Sequence, residues 1–375
     1  MTQATVIPHV KILAQFQKVD KIYLITIERN TYEKTEFINE KIRHITFHSR
    51  RHPVPLWDKL SDFIKIPRIL TRLIKKHHIE KIIARGTPAG ALAYIVWNST
   101  KTPFYVESFE PHADYMLETG VWPGWDPRYI FQKRWEKKQL QYSSGLMPVA
   151  ENYTKEIIRK DATKKIFTMP CGVDWNFFRF NEDDRVRVRS ELNISDQKVL
   201  IYTGKFGGIY MYDETFKLFK QIKTYFGNLF LIILTPDADQ DMTDRIADSW
   251  GQADSYVIKQ VRHTDIPAYL SASDFALAIY KQFNSSQFLS PVKIGEYWAS
   301  GLPVLLTRGV GDETNFIERE GGGALLDIDN PDPSFKKIQT ILTSPDHRQT
   351  ITSLAKKYRS FGRVKKVYQE LVLND

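Results

Sequence analysis

A chain of 375 residues with 42% hydrophobic and 26% charged residues has a globular composition and is too long for one ordinary domain, so two domains are the natural division. The single cysteine, Cys171, excludes a disulfide framework and a cysteine-based metal site, and suits a reducing cytoplasm. The net charge of +9 is uneven: the 53 basic and 44 acidic residues divide 28 to 18 over 1–175 and 25 to 26 over the rest. A basic first half predicts an anionic partner, which is phosphates, an acidic glycan or an anionic membrane surface. No zinc-finger spacing, RNP-like aromatic signature or Lys/Arg-rich tail supports nucleic acid. The best apolar run, 89–97, is far too short for a membrane span, and no secretory-signal pattern opens the chain.

In chain order, helices and strands alternate. Residues 6–16 read as a helix, 21–27 and 44–47 as strands, and 57–76 as a long helix that Pro67 must kink or divide. A strand at 81–84, an apolar helix from Ala89 and a strand at 103–107 follow. Residues 108–127 read as a polar, aromatic connection, then come a basic helix to Tyr142, a strand at 146–150, a helix at 152–160 and a strand at 165–169. Charged residues dominate 181–189. A second series begins with the strand 199–203. It continues with helix 213–225, strand 228–234, helix 241–250, strand 256–259, helix 265–271 and strand 275–280. Strand 303–307 and a helix from Thr314 end the series. Two βα arrays predict two doubly wound domains facing across a cleft. The division is 1–172, 173–350, and a last helix, 351–375, running back over the first domain.

Three stretches carry chemistry. Ser290-Pro291-Val292-Lys293-Ile294-Gly295-Glu296 reads as a loop entering a short helix that Gly301 stops. Lys293 and Glu296, three apart, can face one ligand, and the helix start offers free N–H groups to an anion. Thr203-Gly204-Lys205-Phe206-Gly207-Gly208 follows the first strand of the second array, where glycines let backbone approach a phosphate and Lys205 adds a charge. It lacks the spacing of a Walker loop. Glu107-Ser108-Phe109-Glu110-Pro111-His112-Ala113-Asp114 follows a first-domain strand, so a carboxylate neighbour can polarise His112. Each stretch also has a plain alternative: a capped helix, an ordinary glycine turn, a surface histidine. Asp237, Asp239 and Asp241 have a spacing that could hold a metal, but acidic residues before a helix are favoured for local reasons.

Together, and in this order, these stretches resemble the GT-B glycosyltransferases of the large retaining family 4. Residues 290–304 resemble the donor segment that ends Ala-Ser-Gly-x-Pro-Val. Thr203-Gly204-Lys205 resembles the phosphate-binding Gly-Arg/Lys turn. Cys171-Gly172-Val173-Asp174 resembles the Asn-Gly-Val-Asp before the interdomain linker, and Ala272-Ser273-Asp274-Phe275 the strand start before the donor loop. The resemblance implies a UDP- or GDP-linked sugar as donor and a glycan or lipid-linked acceptor. It implies retention of configuration, no metal and no other cofactor, with a role in cell-envelope or exopolysaccharide synthesis. It places Glu296 at the donor ribose, Lys205 and Lys293 at the diphosphate with Gly204, Gly207, Gly208, Ser290, Pro291 and Val292, and His112 near the transferred sugar. Two departures stand out. Phe288 occupies the position of the family's first donor-site glutamate, and no second lysine follows Lys205. Most members also begin with a strand and a glycine-rich loop, which 1–5 do not resemble.

The acceptor belongs to the basic half. Trp57, Leu60, Phe63, Ile64, Leu70, Leu73 and Ile74 recur at near-helical spacing, with Lys59, Lys65, Arg68, Arg72, Lys75 and Lys76 on other faces. This is either a membrane-surface helix or, as a doubly wound domain requires anyway, a helix packed on its sheet. Val121-Trp122-Pro123-Gly124-Trp125 with Lys133, Arg134, Lys137 and Lys138 is a second candidate for membrane or glycan contact. A cytoplasmic placement follows, extending to a peripheral position on the inner face of the membrane. A nucleotide-sugar epimerase or a catalytically silent binding module on the same scaffold are the alternatives.

Overall fold

The computed structural model describes residues 5–28, 39–48, 55–236, 238–251 and 253–374, with side chains from residue 62 in the helix Pro55–His77. Residues 1–4, the side chains of Trp57, Lys59 and Leu60, and Asp237 lie outside the described residues.

The second half carries one six-stranded parallel sheet built from β6 (Lys198–Thr203), β7 (Leu229–Leu234), β8 (Tyr256–Lys259), β9 (Phe275–Ala278), β10 (Val304–Thr307) and β11 (Gly323–Leu326). Its order is β11-β10-β9-β6-β7-β8. Strands such as Leu-Phe-Leu-Ile-Ile-Leu in β7 are buried on both faces, as helices on both sides of a parallel sheet demand. The chain winds outward from β6 in one direction, then returns to β9 and winds the other way. The carboxyl ends of β6 and β9 therefore flank the crevice where a doubly wound sheet binds its ligand.

The first half contributes a parallel pair, β1 (Ile22–Glu28) with β2 (Ile42–His48), and a three-stranded parallel sheet of β3 (Ile82–Arg85), β4 (Phe104–Phe109) and β5 (Gly145–Pro148). Most expected elements lie within a residue or two of their positions. Four differ. Pro67 does not divide its helix, which runs unbroken from Pro55 to His77. Its Ile66 and Pro67 are buried and it packs on the helix Thr87–Thr100, and tertiary packing outweighs the local cost of about 3 kcal/mol for an interior proline. The polar stretch after β4 holds a helix, His112–Glu118. Residues 165–169 form no strand beyond one bridge, Leu146 to Ile166. The strand β11, which starts at Gly323 directly after Gly321 and Gly322, was not expected.

The helix His347–Arg359 packs on the helix Val292–Ala299 of the second sheet's domain. The chain crosses at Ser360, which bridges to Val173. From Phe361 onward, Val364, Val367, Tyr368 and Leu371 join Ile12, Leu13, Tyr105 and Met147 in one apolar cluster of the first domain. A polar knot lies inside that seam. Glu107 accepts from Arg85 at 2.9 Å and from the Tyr368 hydroxyl, and His9 lies 3.6 Å away. Burial alone would raise the Glu107 carboxyl, but the hydrogen bonds and the Arg85 charge hold it at about 2.

Because the native pKa of Glu107 is depressed, its contribution to stability is complete above the unfolded carboxyl value and is lost as pH falls towards about 2. Denaturation followed across acid pH should therefore show a stability loss below about pH 4.5. Glu107→Gln should flatten that loss and lower stability at neutral pH by about 1–3 kcal/mol.

Candidate functional site

At the crevice between β6 and β9 lies a cleft of about 680 Å³. One wall is the second domain: Gly204, Tyr210, Tyr280, His263 and the run from Leu289 to Lys293 with Glu296. The other is the first domain: Ser108, Glu110, Val149 and Cys171. Ser108 has a φ of +49° where the pairing of β4 with β5 slips, a strained position for a residue with a Cβ.

The helix Val292–Ala299 is aimed at this cleft by its ends. Pro291 stands before its first residue in an extended conformation, and no side chain caps the helix start. The first N–H groups therefore remain available. At the other end Gly301 takes a φ of +74°, and a Cβ there would come within 2.8 Å of Arg348 Cβ. The Tyr297 hydroxyl accepts from Thr203 N at 3.0 Å, locking the helix to the end of β6. Ser290 Oγ accepts from Cys171 N at 3.3 Å and from the guanidinium of Arg359.

Lys293 is the unusual group. It is 9% exposed, and its Nζ has no hydrogen-bond partner among the described residues. The Nζ lies 4.3 Å from the ring centre of Tyr210, 5.0 Å from Tyr202 and 5.8 Å from Tyr280. A Cβ on Gly204 would stand 2.9 Å from it, so glycine leaves the amine its room. Three π faces attract a cation but accept no strong hydrogen bond. Burial therefore dominates and pulls the amine down to about 7, with Glu296 partly opposing it.

One helical turn on, Glu296 is also 9% exposed. His263 Nε2 stands 3.8 Å from its Oε1, and the His263 ring stacks on Phe177 at 5.5 Å. Sequence reading missed His263. Nothing in its neighbourhood in the chain marks it, and only the fold carries it from the loop after β8 to Glu296.

The other expected site residues are less closely gathered. Ser290, Pro291, Val292, Lys293, Glu296 and Gly204 share the cleft wall, whereas Lys205, Gly207, Gly208 and His112 are not part of it. Lys205 is exposed, on the turn beyond Gly204, and its carbonyl accepts the Tyr202 hydroxyl at 2.7 Å. Gly207 and Gly208 continue the turn with φ of +74° and +65°. His112 opens its helix two residues after the cleft residue Glu110, with Nδ1 3.8 Å from Glu110 Oε1 and its ring edge-on to Trp122 at 5.6 Å. Asp114, its other acidic neighbour, is held by Lys133 at 2.5 Å. Phe288 does not face the cleft but packs on Tyr153 of the first domain at 4.9 Å. Asp239 caps its helix by accepting from Met242 N at 2.8 Å, and Asp241 accepts the Tyr212 hydroxyl at 2.7 Å. Among the described residues no cluster of metal-ligating side chains occurs.

No known family profile matches the chain, and no curated protein matches it in sequence. Solved structures do match in shape. Anabaena HepE, solved with UDP-glucose, superposes at TM-score 0.69 and 12% identity over 94% of this chain and all of its own. WaaG, a glycosyltransferase of lipopolysaccharide biosynthesis, does so at 0.67 and 13% over 97% and 94%. The UDP-GlcNAc 2-epimerase of Neisseria meningitidis, bound to UDP-GlcNAc, does so at 0.62 and 13% over 98% and 95%. The architecture is the GT-B fold, with two Rossmann-like domains.

The Lys293 environment has a measurable consequence in the free protein. Its native pKa is lowered, so the unfolded chain binds more protons between about pH 7 and the ordinary lysine value of 10.5. Stability therefore rises with pH across that window. Lys293→Met should stabilise the unliganded protein below about pH 7 by about 1–3 kcal/mol, and the gain should vanish above the window. Urea denaturation of both proteins at pH 6 and above the window reads this directly. Gly204→Ala, forced to a φ of +113° with its methyl against the amine, should destabilise instead.

Proposed function

We propose that this chain is a glycosyltransferase of the retaining family 4 type, taking a UDP- or GDP-linked sugar as donor. The observation that carries this reading is the buried Lys293 amine, without a hydrogen-bond partner among the described residues, beside Gly204 at an uncapped helix start. A diphosphate supplies the oxygens that amine lacks, and the helix N–H groups and Lys205 complete its neutralisation. Glu296 accepts hydrogen bonds from the ribose hydroxyls, and His263 beside it orients the carboxylate.

In this reading the bond between the anomeric carbon and the β-phosphate oxygen breaks, and its electron pair leaves with the phosphate. The acceptor hydroxyl oxygen forms the new bond to the anomeric carbon, and its proton passes to the departing phosphate oxygen. Lys293, Lys205 and the helix dipole stabilise the departing charge, so no metal and no other cofactor is required. His112, held beside Glu110, lies on the domain that carries the acceptor and meets the transferred sugar as the domains close. The acceptor is a glycan or a lipid-linked sugar of envelope or exopolysaccharide assembly, and the enzyme works in the cytoplasm. With Phe288 turned to the domain interface, the donor sugar is recognised without the family's first glutamate. Glu110, across the cleft, is the carboxylate in reach of that role.

A second reading, a nucleotide-sugar epimerase, has the epimerase among the similar structures in its favour. It would interconvert sugars without leaving free nucleotide in proportion to turnover.

Titration calorimetry should show UDP or GDP binding. Glu296→Ala should weaken it about ten- to a hundredfold. Binding should be accompanied by proton uptake near pH 7 and weaken as pH rises above it, because the diphosphate favours the charged amine. Lys293→Met should abolish the uptake. His112→Ala should keep nucleotide affinity but lose release of UDP from UDP-sugars. If neither nucleotide binds at millimolar concentration, the reading fails. If sugars interconvert without nucleotide release, the epimerase reading takes its place.

A further inference from the structure

We propose that the loop and helix after the cleft's first-domain wall form a docking surface for an anionic lipid bilayer. Val121, Trp125, Ile130 and Phe131 are exposed by 52%, 80%, 54% and 58%, and all belong to one short stretch of chain. Nothing in the loop requires this. Trp122, three residues before Trp125, is folded in against His112 and the Arg128 guanidinium. An indole at 80% exposure with two exposed aliphatics and a phenyl ring within six residues of it in the chain is more exposed apolar surface than a short solvated segment ordinarily carries.

The charge around the tip is mainly basic: Asp126 pairs with Arg128 and Asp114 with Lys133, while, among the described residues, Arg134, Lys137 and Lys138 add uncompensated positive charge. The helix Pro127–Tyr142 bears Arg128, Lys133, Arg134, Lys137 and Lys138, and its only acid, Glu136, is buried. Ile130, Arg134 and Lys137 recur at helical spacing on its exposed side, so the outer stripe runs from apolar to basic. The neighbouring helix Pro55–His77, which meets it through Phe63 and Trp135, shows exposed Lys65, Arg68, Arg72, Lys75 and Lys76. That helix is not itself the membrane element, because Leu70, Leu73 and Ile74 are partly covered where it packs on the helix Thr87–Thr100. It supplies charge, while the 121–131 tip supplies the apolar anchor.

An apolar tip with an indole and a surround of cations fits the headgroup boundary of an anionic leaflet: rings at the acyl boundary, amines at the phosphates. A second copy of this chain is a poor occupant, because a twofold contact would set like charges opposite each other. The surface acts peripherally; among the described residues no helix is long and apolar enough to cross a membrane. Docking does not depend on the glycosyl-transfer reading. Its corollary does: the segment from Ser108 to Trp122, which leads from the cleft to this tip, would then take its acceptor from the bilayer.

Vesicle sedimentation of the full chain tests this, with phosphatidylcholine alone against phosphatidylcholine with phosphatidylglycerol. The protein should pellet with the anionic vesicles at low ionic strength and be released by salt. Trp125→Ser with Phe131→Ser should lower partitioning more than tenfold. Arg134→Glu with Lys137→Glu should lower it at least about fivefold per residue and remove the preference for anionic lipid. All variants should keep the wild-type nucleotide affinity, and a protein that binds no nucleotide yet docks would overturn only the functional reading. The surface assignment is overturned if the wild type ignores anionic vesicles at low salt, or if neither double variant changes partitioning. It is equally overturned if ultracentrifugation shows a dimer that Trp125→Ser with Phe131→Ser dissolves.

Discussion

Arg359 is the buried point on which the two domains and the cleft jointly hang. Its guanidinium is 1% exposed, at the end of the helix His347–Arg359 and just before the chain crosses to the first domain. It donates to Glu313, to Ser290 Oγ, to the Pro291 carbonyl at 3.3 Å and to the Cys171 carbonyl at 3.1 Å. A buried cation is tolerable only where partners offset its charge, and this one thereby ties together the cleft loop, the interdomain segment at Cys171 and the helix Glu313–Glu320. Its backbone carbonyl also accepts from Val173 N at 2.8 Å. The opening of the helix that holds Lys293 is therefore set by a residue more than one helix away.

A second group of contacts joins the domains on one side of the cleft. Glu118 accepts from Ser285 N at 2.9 Å, and Asp312 accepts from the backbone N–H groups of Glu151 at 2.6 Å and Asn152 at 3.1 Å. Phe288 belongs to this seam, through Tyr153. A ring there gives apolar contact between domains where a carboxylate would have been desolvated against Tyr153. Phe288, where the resemblance led one to expect a carboxylate, thus has a packing role.

Much of the second domain was legible in its chain. Apolar runs bounded by Gly, Pro and Asp mark β6 to β10 and their helices, because burial on both faces leaves a continuous signal. Pro291 and Gly301 marked the ends of the helix Val292–Ala299 for stereochemical reasons that hold in any context. The failures have equally local causes. β11 begins at Gly323, directly after Gly321 and Gly322, and its four residues form a strand by pairing with β10. The helix His112–Glu118 is too short to show a period, and its start is held by Glu136 of another helix, which accepts from Ala113 N at 2.8 Å. Pro67 broke a rule about isolated helices in a helix that is not isolated.

By itself the sequence determined the alternation of elements, the two-domain plan, the basic first half, and the pairing of Lys293 with Glu296 on one short helix. These follow from periodicity and stereochemistry along neighbouring residues. Only the tertiary structure decided what Lys293 experiences. Tyr202, Tyr210 and Tyr280 come from different strand ends and loops, and Gly204 clears the space beside them. It likewise brought His263 to Glu296 and turned Phe288 to the domain seam, while leaving His112 outside the cleft wall. Those are facts of long-range packing. A lysine's charge is written in the chain, but its solvation, and hence its appetite for an anion, depends on which distant side chains exclude water from it.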